Sequence, residues 1–175
     1  FGHRNVKILE GGLKKWRAEG RAVEAGDVTP KLGRYSAATL DASTIRSQAQ
    51  MVANLDAKAE QVVDARGAGR FEGSVAEPRA GLRSGHIPGS RSLPYNLLFD
   101  AETGMMKPLA ELRQAFENAG LDLARPVVTT CGSGVSAAVL TLALYRLGVR
   151  GSALYDGSWS EWGMQDGPPV ATGPA

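Results

Sequence analysis

Cysteine and histidine are the scarcest chemically reactive residues of this chain. The 175 residues include one cysteine, Cys131, and two histidines, His3 and His86. A single cysteine excludes an intramolecular disulfide and is typical of a reducing compartment, so we predict a cytoplasmic location. One cysteine and two histidines far apart in the sequence also cannot supply the ligands of a zinc site. The sequence therefore predicts neither a metal ion nor any other cofactor.

Net charge and long apolar runs are also lacking. The net charge of +2 at pH 7 is too small to favour nucleic acid or an anionic membrane as a partner. No apolar run approaches the length of a membrane span, and we expect no signal peptide. A hydrophobic fraction of 43% with 22% charged residues is ordinary for a globular domain. The composition therefore predicts one folded domain with short additional segments.

What the sequence does contain is a strand, a glycine-rich turn and a helix around its cysteine. Residues 126–130 are Pro-Val-Val-Thr-Thr, and their β-branched side chains predict a short buried strand. Residues 135–147 place apolar side chains at helical spacing, and Gly148 follows them, which predicts a helix that ends there. Cys131 and the Gly-Ser-Gly sequence of residues 132–134 lie between these two elements.

This turn predicts a reactive cysteine. The first N–H groups of a helix have no intrahelical partner, and glycines allow several of them to point at one anion. A thiol held there has a lowered pKa, and the thiolate is the nucleophile. The alternative is that Cys131 is a small buried apolar residue at the end of a strand. Because ligands bind at the carboxyl ends of parallel strands, the position of Cys131 favours the reactive interpretation.

Strands and helices alternate along the rest of the chain. The further predicted strands are residues 61–66, 91–94 and 153–155, and the further predicted helices are residues 41–55, residues 107–120 and a segment from Ser158. This alternation predicts an α/β fold with a central parallel sheet of four to five strands and helices on both faces. We expect Asp41 or Ser43 to cap the first of these helices. Asp64 and Arg66 are predicted to form a local ion pair, and His86 to hold its turn.

A short internal repeat predicts the domain organisation. Residues 147–162 align without gaps on residues 1–16, with Gly157 on Gly11 and Trp162 on Trp16. Although chance similarity is the alternative, the match keeps a strand at residues 6–9, a turn and an aromatic residue in order. We interpret the chain as four segments: residues 1–20, a remnant of a preceding similar domain; residues 21–40, a linker; residues 41–166, the catalytic domain; and residues 167–175, a tail that leaves the fold.

Several other cysteine chemistries are disfavoured by single residues. A phosphatase loop of the Cys-x5-Arg type would have arginine at the position of Ala137, and a Cys-x-x-Cys redox motif would have cysteine at Gly134. A papain-like protease needs a histidine close to the cysteine, and His86 lies in a turn that looks structural. What remains is a thiolate that attacks a small electrophile and is stabilised by backbone amides.

Short motifs occur in a characteristic order along the chain. They are Gln61-Val-Val-Asp-Ala-Arg66, Gly69-Arg-Phe-Glu-Gly73, Glu77-Pro-Arg79, Ser84-Gly-His-Ile-Pro-Gly-Ser90, Cys131-Gly-Ser-Gly-Val-Ser136 and Tyr155-Asp-Gly-Ser-Trp-Ser-Glu-Trp162. Together they resemble the carboxy-terminal domain of the two-domain rhodanese sulfurtransferases. The resemblance implies a rhodanese-like fold, a second rhodanese-like domain before this one, and a Cys131 persulfide that passes sulfur to a thiol or cyanide. The predicted ring of amides would stabilise both the thiolate and the persulfide anion.

The loop after the cysteine bears on the sulfur donor. In this family, thiosulfate-preferring members carry basic residues there, whereas members of the 3-mercaptopyruvate type carry a neutral Cys-Gly-Ser-Gly-Val-Thr loop. Gly132 and Ser133 match the second type, and Ser136 keeps the hydroxyl of the usual threonine. The resemblance therefore implies 3-mercaptopyruvate as the donor. Thiosulfate as the donor, or a non-catalytic sulfur-carrier module, are the alternatives.

The resemblance also implies the residues of the site. Arg70 and Arg79 match the arginines that bind the carboxylate and carbonyl of the substrate, and a guanidinium suits a carboxylate. Ser133 matches a hydroxyl that relays protons beside the cysteine. The predicted catalytic residues are thus Cys131 and Ser133. The residues predicted to bind substrate are Arg70, Arg79, Gly132, Gly134, Val135 and Ser136. Because the family completes this site with an aspartate and a histidine of the preceding domain, we expect the Cys131 thiol to be more exposed and less active here than in the two-domain parent.

Overall fold

The computed structural model describes residues 5–34, 36, 38–39 and 41–175. The chain divides into two compact units. One comprises residues 1–41 and 99–106, and the other comprises residues 42–98 and 107–175. The second unit contains the predicted catalytic cysteine.

A five-stranded parallel sheet forms the centre of the second unit. Its strands are β1 (Ile45–Arg46), β2 (Gln61–Asp64), β3 (Arg91–Ser92), β4 (Val127–Thr130) and β5 (Ala153–Tyr155). Their spatial order is β1-β5-β4-β2-β3, and every neighbouring pair is parallel. All four residues of β4 are buried, as expected for the middle strand of a sheet that is covered on both faces. The predicted α/β sheet with a central strand before Cys131 is confirmed.

Helices cover both faces of this sheet. The helices are α1 (Gly12–Ala18) in the first unit and α2 (Gln48–Ala57), α3 (Ala68–Glu72), α4 (Leu109–Asn118), α5 (Ala137–Arg146) and α6 (Ser158–Trp162) in the second. Successive side chains of a strand point to opposite faces. Val128 packs in a buried cluster with Met51 of α2 and Trp159 of α6. The Thr129 hydroxyl instead lies 2.8 Å from that of Thr141 in α5, which covers the other face.

The helix predicted over residues 41–55 begins later than expected. Its first part forms a 3-10 helix and then β1, so Ser47 is the residue that caps α2. The Ser47 hydroxyl accepts a hydrogen bond from the Gln50 N–H, and the Gln50 side chain accepts one from the Ser47 N–H. The predicted caps Asp41 and Ser43 are therefore wrong. The reason is that β1 pairs with β5, a long-range contact that local periodicity cannot reveal.

The carboxy-terminal segment packs against the second unit. Ala171 pairs with His86 in an antiparallel bridge, and the Pro169 carbonyl accepts a 2.8 Å hydrogen bond from the Trp162 indole N–H. The prediction of a tail that leaves the fold is wrong. A proline lacks an N–H, but its carbonyl is a full acceptor, and the buried indole of Trp162 requires one.

The first unit contains α1, which begins after a turn at Gly11 in the left-handed region (φ +78°). Residues 6–9 do not form the predicted strand, since a strand is stabilised only by pairing with another strand. The first four residues of the sequence repeat lie outside the described residues. Among the helices that the structure describes, none is both long and apolar enough to cross a membrane.

Candidate active site

Cys131 lies directly after β4, in the loop that leads into α5. It is only 2% exposed, and its sulfur accepts a 3.5 Å hydrogen bond from the Ser133 N–H. The first turn of α6 closes over the loop, and the Trp159 N–H donates to the Cys131 carbonyl at 2.9 Å. The loop and α6 thus bury this residue within the chain itself, and the expected difference from the two-domain parent stays a prediction.

The loop lowers the pKa of the Cys131 thiol. Burial alone raises this pKa, because it disfavours the charged thiolate. Hydrogen bonds from the Ser136 hydroxyl and from the backbone N–H groups of Ser133, Ala137 and Ser136 outweigh burial, so the pKa falls below its ordinary value. Ser136 is free to do this because its side chain does not cap α5. The predicted ring of amides around the sulfur is thus present.

The two serines of the loop act differently. Ser133 reaches the sulfur through its backbone N–H, and the residue is otherwise exposed. Ser136 contributes its hydroxyl as well as its N–H. The proton relay assigned to the Ser133 hydroxyl by family resemblance stays a prediction.

The Ser158 side chain holds the cysteine loop in place through hydrogen bonds. This role was not predicted from the sequence. The Ser158 hydroxyl accepts hydrogen bonds from the N–H groups of Cys131 (3.2 Å) and Gly134 (3.0 Å) and donates to the Tyr155 carbonyl (2.9 Å). The residue is fully buried and has a left-handed backbone, with φ +50°. A serine at the start of a helix normally indicates a cap, so only the fold reveals that this one connects the cysteine loop to β5.

Gly134 and Val135 complete the loop. Gly134 has φ +82°, and a Cβ atom there would lie 3.0 Å from a carboxylate oxygen of Asp156. Glycine is therefore required both by conformation and by space. Val135 is 77% exposed and lines a cavity, and α5 begins two residues after it. The apolar spacing predicted that Val135 is a core residue of the helix. The structure instead places Val135 in the cysteine loop, on the wall of the cavity.

Arg70 is held by a carboxylate that sequence reasoning missed. Glu77 accepts hydrogen bonds from Arg70 Nε (3.1 Å) and Nη2 (2.5 Å) and from Arg66 Nη1 (2.8 Å). Arg66 is also paired with Asp64 at 2.7 Å, which confirms the predicted local ion pair. The side chains of Asp64, Arg66 and Glu77 are all at most 2% exposed. A buried network of alternating charges thus carries Arg70 at its open end.

Arg70 also lies close to the cysteine loop. Its Nη2 lies 3.0 Å, and its Nη1 3.7 Å, from the position that a Cβ atom on Gly132 would occupy. The hydrogen bonds with Glu77 raise the pKa of Arg70 more than its partial burial lowers it, and the Cys131 sulfur acts in the same direction as Glu77. Because Gly132 has no side chain, the Arg70 guanidinium can approach the cysteine loop closely.

Arg79 approaches the same loop from another side. Its Nη1 donates to the Ser160 hydroxyl, which in turn donates to the Gly132 carbonyl at 2.6 Å. Both arginines line a cavity of about 370 Å³ together with the cysteine loop. The other residues of its wall are Glu77, Pro78, Leu82, Tyr95 and Val139. The structure therefore brings Cys131, Ser133, Val135, Ser136, Gly132, Arg70 and Arg79 together around one cavity, with Gly134 shaping the loop beneath.

Comparison with known sequences decides the family. The profile of the Rhodanese-like domain family matches residues 47–165, which contain the whole sheet except β1. The chain belongs to the rhodanese-like domain family. The predicted fold and family resemblance are thereby confirmed.

This rhodanese-like domain has close relatives among sulfurtransferases. It is 40% identical over 168 residues to 3-mercaptopyruvate sulfurtransferase of Rattus norvegicus, a match that covers 96% of this chain and 56% of the rat protein. It is 42% identical over 170 residues to thiosulfate sulfurtransferase of Cricetulus griseus, covering 97% of this chain and 56% of the relative. The chain thus spans little more than half the length of these curated relatives.

A solved structure shows the same fold. The crystal structure of SseA from Escherichia coli, described as a 3-mercaptopyruvate sulfotransferase, superposes with a TM-score of 0.78 at 37% identity. The superposition covers 92% of this chain and 59% of SseA.

Proposed function

We propose that this chain is a sulfurtransferase domain that moves a sulfur atom from 3-mercaptopyruvate to a thiol or cyanide through a Cys131 persulfide. The observation that carries the proposal is the Cys131 sulfur itself. It is buried, ringed by N–H donors that lower its pKa, and placed in a cavity with two arginines. The names of the relatives support sulfur transfer as the reaction.

The first step is attack by the Cys131 thiolate on the thiol sulfur of 3-mercaptopyruvate. A sulfur–sulfur bond forms as the carbon–sulfur bond breaks, and the electron pair of that bond leaves with carbon as the enolate of pyruvate. The thiol proton of the donor ends on that carbon, giving pyruvate and the persulfide anion. The carbon is reduced as the transferred sulfur is oxidised. The N–H groups around the cysteine stabilise the persulfide anion, and the arginines stabilise the carboxylate and the developing enolate.

In the second step, a thiolate or cyanide attacks the outer sulfur of the persulfide. The new bond to sulfur forms as the sulfur–sulfur bond breaks, and the Cys131 thiolate is regenerated. A leaving thiolate of low pKa accelerates this step, because the leaving group departs with the electron pair. The same hydrogen bonds therefore favour both halves of the cycle.

The charge of the cavity favours a donor with one negative charge. Two arginines and one carboxylate line it, and the buried Asp64–Arg66 pair adjoining them adds no net charge. With the negative Cys131 thiolate counted, the lining is neutral overall, so a donor with a single carboxylate meets less repulsion there than thiosulfate, which carries two negative charges. The absence of basic side chains at Gly132 and Ser133 supports the same donor.

Thiosulfate is the second candidate donor, because a thiosulfate sulfurtransferase is as similar to this chain as the 3-mercaptopyruvate enzyme. Attack by Cys131 on its outer sulfur would give the same persulfide and release sulfite. A non-catalytic sulfur carrier is the third candidate. It would take up sulfur and hand it only to a bound protein partner.

Steady-state kinetics separate these candidates. We expect thiocyanate formation from cyanide with a larger kcat/KM for 3-mercaptopyruvate than for thiosulfate, and no turnover in Cys131→Ala. Replacing Ser152 by alanine is the matched control and should change neither value, because Ser152 precedes the amino end of β5 whereas Cys131 follows the carboxyl end of the parallel β4. A larger kcat/KM for thiosulfate would overturn the donor assignment. Turnover that survives in Cys131→Ala would overturn the mechanism, and sulfur uptake without turnover would favour a carrier.

We also propose that residues 1–20 are the end of a preceding rhodanese-like domain, followed by a linker at residues 21–40 and a catalytic domain at 41–166, against which residues 167–175 pack. In the sequence repeat, Gly12 aligns with Ser158. Gly12 begins α1 with φ +57°, and Ser158 begins α6 with φ +50°. An equivalent left-handed residue at the start of both helices supports a common origin. The preceding domain would then be the partner that completes the site, and a cytoplasmic location stays a prediction.

A further inference from the structure

The first turn of α6 makes a continuous set of hydrogen bonds to the loop of the nucleophile. Besides the contacts of Ser158 and Trp159, the Ser160 N–H and the Ser160 hydroxyl both donate to the Gly132 carbonyl, at 3.0 and 2.6 Å. Ser160 therefore contacts the residue that directly follows Cys131. It was not among the residues predicted for the site.

The hydrogen bond to Gly132 fixes how Ser160 faces Arg79. A serine hydroxyl has one proton to donate and two lone pairs that accept. Since the proton is committed to the Gly132 carbonyl, the outward side of the hydroxyl is an acceptor, and Arg79 Nη1 donates to it. The donor and the acceptor of both hydrogen bonds are thus determined: Arg79 donates to Ser160, and Ser160 donates to Gly132.

Arg79 needs such an anchor. It lies on an exposed segment, and an unrestrained arginine side chain loses much rotamer freedom when it binds a ligand. The other arginine of the cavity is anchored by Glu77. In the part of the chain that the structure describes, the Ser160 hydroxyl accepts the hydrogen bond that holds Arg79.

We infer that Ser160 is a positioning residue, which preorganises Arg79 for the carboxylate of the sulfur donor and couples it to the loop of Cys131. The inference rests on the proposed function. It assigns to the Ser160 hydroxyl an effect on donor binding that acts only through Arg79, with little effect on the attack by Cys131.

The test measures the rate at which the reduced chain gains sulfur, by rapid-quench intact mass spectrometry, over a range of 3-mercaptopyruvate concentrations. In Ser160→Ala we expect the half-saturating donor concentration to rise about five-fold, the effect of one side chain that is no longer preorganised, and the limiting rate to stay within about two-fold. Ser160→Thr, which keeps the hydroxyl, should restore half-saturation. Ser152→Ala should match the wild type.

A double-mutant cycle separates positioning from a merely structural role. If Ser160 acts through Arg79, then Ser160→Ala adds nothing to half-saturation in an Arg79→Ala background. Equal effects of Ser160→Ala in both backgrounds, or a fall in the limiting rate alone, would overturn the inference and leave the sulfurtransferase proposal intact.

Binding of pyruvate, a keto acid that carries no sulfur, keeps the two proposals distinguishable. The dissociation constant of pyruvate can be followed by the NMR signals of the Cys131 loop. We expect it to rise about five-fold from the wild type to Ser160→Ala. We expect no such rise from Arg79→Ala to the double variant that carries both substitutions. This result supports positioning even if the chain forms no persulfide, in which case only the proposed reaction fails. Equal pyruvate binding by the wild type and Ser160→Ala would overturn the positioning role.

Discussion

Hydrogen bonds lower the pKa of the Cys131 thiol and so favour the thiolate, which is the form that the proposed reaction requires. The Ser136 hydroxyl is the largest of the influences that lower its pKa. The thiolate fraction rises as the pH rises through the pKa, so a lowered pKa makes the sulfur reactive at lower pH. By the same linkage, the folded state gains stability from this thiolate above the ordinary cysteine pKa, and loses that gain as the pH falls through the lowered value.

We predict that Ser136→Ala moves the pH dependence of Cys131 alkylation to higher pH. In the wild type, the midpoint for reaction with iodoacetamide should lie below about 8.5, the value of a free cysteine. The variant should retain the backbone N–H donors and therefore keep part of the shift. Ser152→Ala is the control. An unchanged midpoint in Ser136→Ala would show that the hydroxyl does not act on the sulfur.

Glu77 is the residue on which both the buried network and Arg70 depend. Glu77→Gln removes the charge that faces Arg66, whose side chain is fully buried, and we predict a loss of about 3 kcal/mol in the free energy of unfolding. Denaturation in urea measures it. The exposed Glu102→Gln should change stability by less than about 0.5 kcal/mol. A neutral effect of Glu77→Gln would contradict the role of the network.

Sequence reasoning reached some residues of the site and not others, for a physical reason. Cys131 could be found because a glycine-rich turn between a strand and a helix directs backbone N–H groups at one point, where they stabilise an anion. Arg70 and Arg79 could be found only by resemblance, since exposed loop arginines are common. Glu77 and Ser158 were missed because each acts through hydrogen bonds to residues that only the fold brings near, such as Ser158 to Cys131.

At the scale of elements, α6 and the carboxy-terminal segment stabilise each other. Trp162 of α6 is fully buried and donates its indole N–H to Pro169, while Arg83 donates to the Pro168 carbonyl at 2.7 Å. We predict that deleting residues 168–175 lowers the free energy of unfolding by about 2 to 4 kcal/mol, because the buried Trp162 indole loses its acceptor and the half-buried Arg83 loses one of its two carbonyl acceptors. Deleting only residues 174–175 should have little effect. Equal stability of the two truncated chains in urea would contradict this docking.

The elements themselves differ in how well the sequence specified them. Strand β4 and helix α5 were predicted because apolar periodicity and a terminal glycine mark them locally. Strand β1 has two residues, and its only signature is its pairing with β5. The tail was mistaken for a free end because glycine and proline indicate the absence of regular structure, which is different from the absence of packing.

At the scale of the whole molecule, residues 21–34, which follow α1, form a continuously exposed segment. Arg21, Lys31 and Arg34 are exposed and lie outside helices and strands. We predict that limited trypsin digestion cuts first at these sites and leaves a fragment that extends to Ala175. Mass spectrometry of the early products identifies the cuts. A first cut after Arg79, inside the second unit, would contradict the division of the chain into segments.

The central claim is that the Cys131 sulfur accepts a sulfur atom, and intact mass tests it most directly. The reduced chain is mixed with 3-mercaptopyruvate, freed of donor and weighed, with Cys131→Ser as the control. The proposal predicts a gain of about 32 Da, the mass of one sulfur atom, that maps to the peptide of Cys131 and is absent from the variant. No gain in the wild type, or a gain that persists in Cys131→Ser, would contradict it.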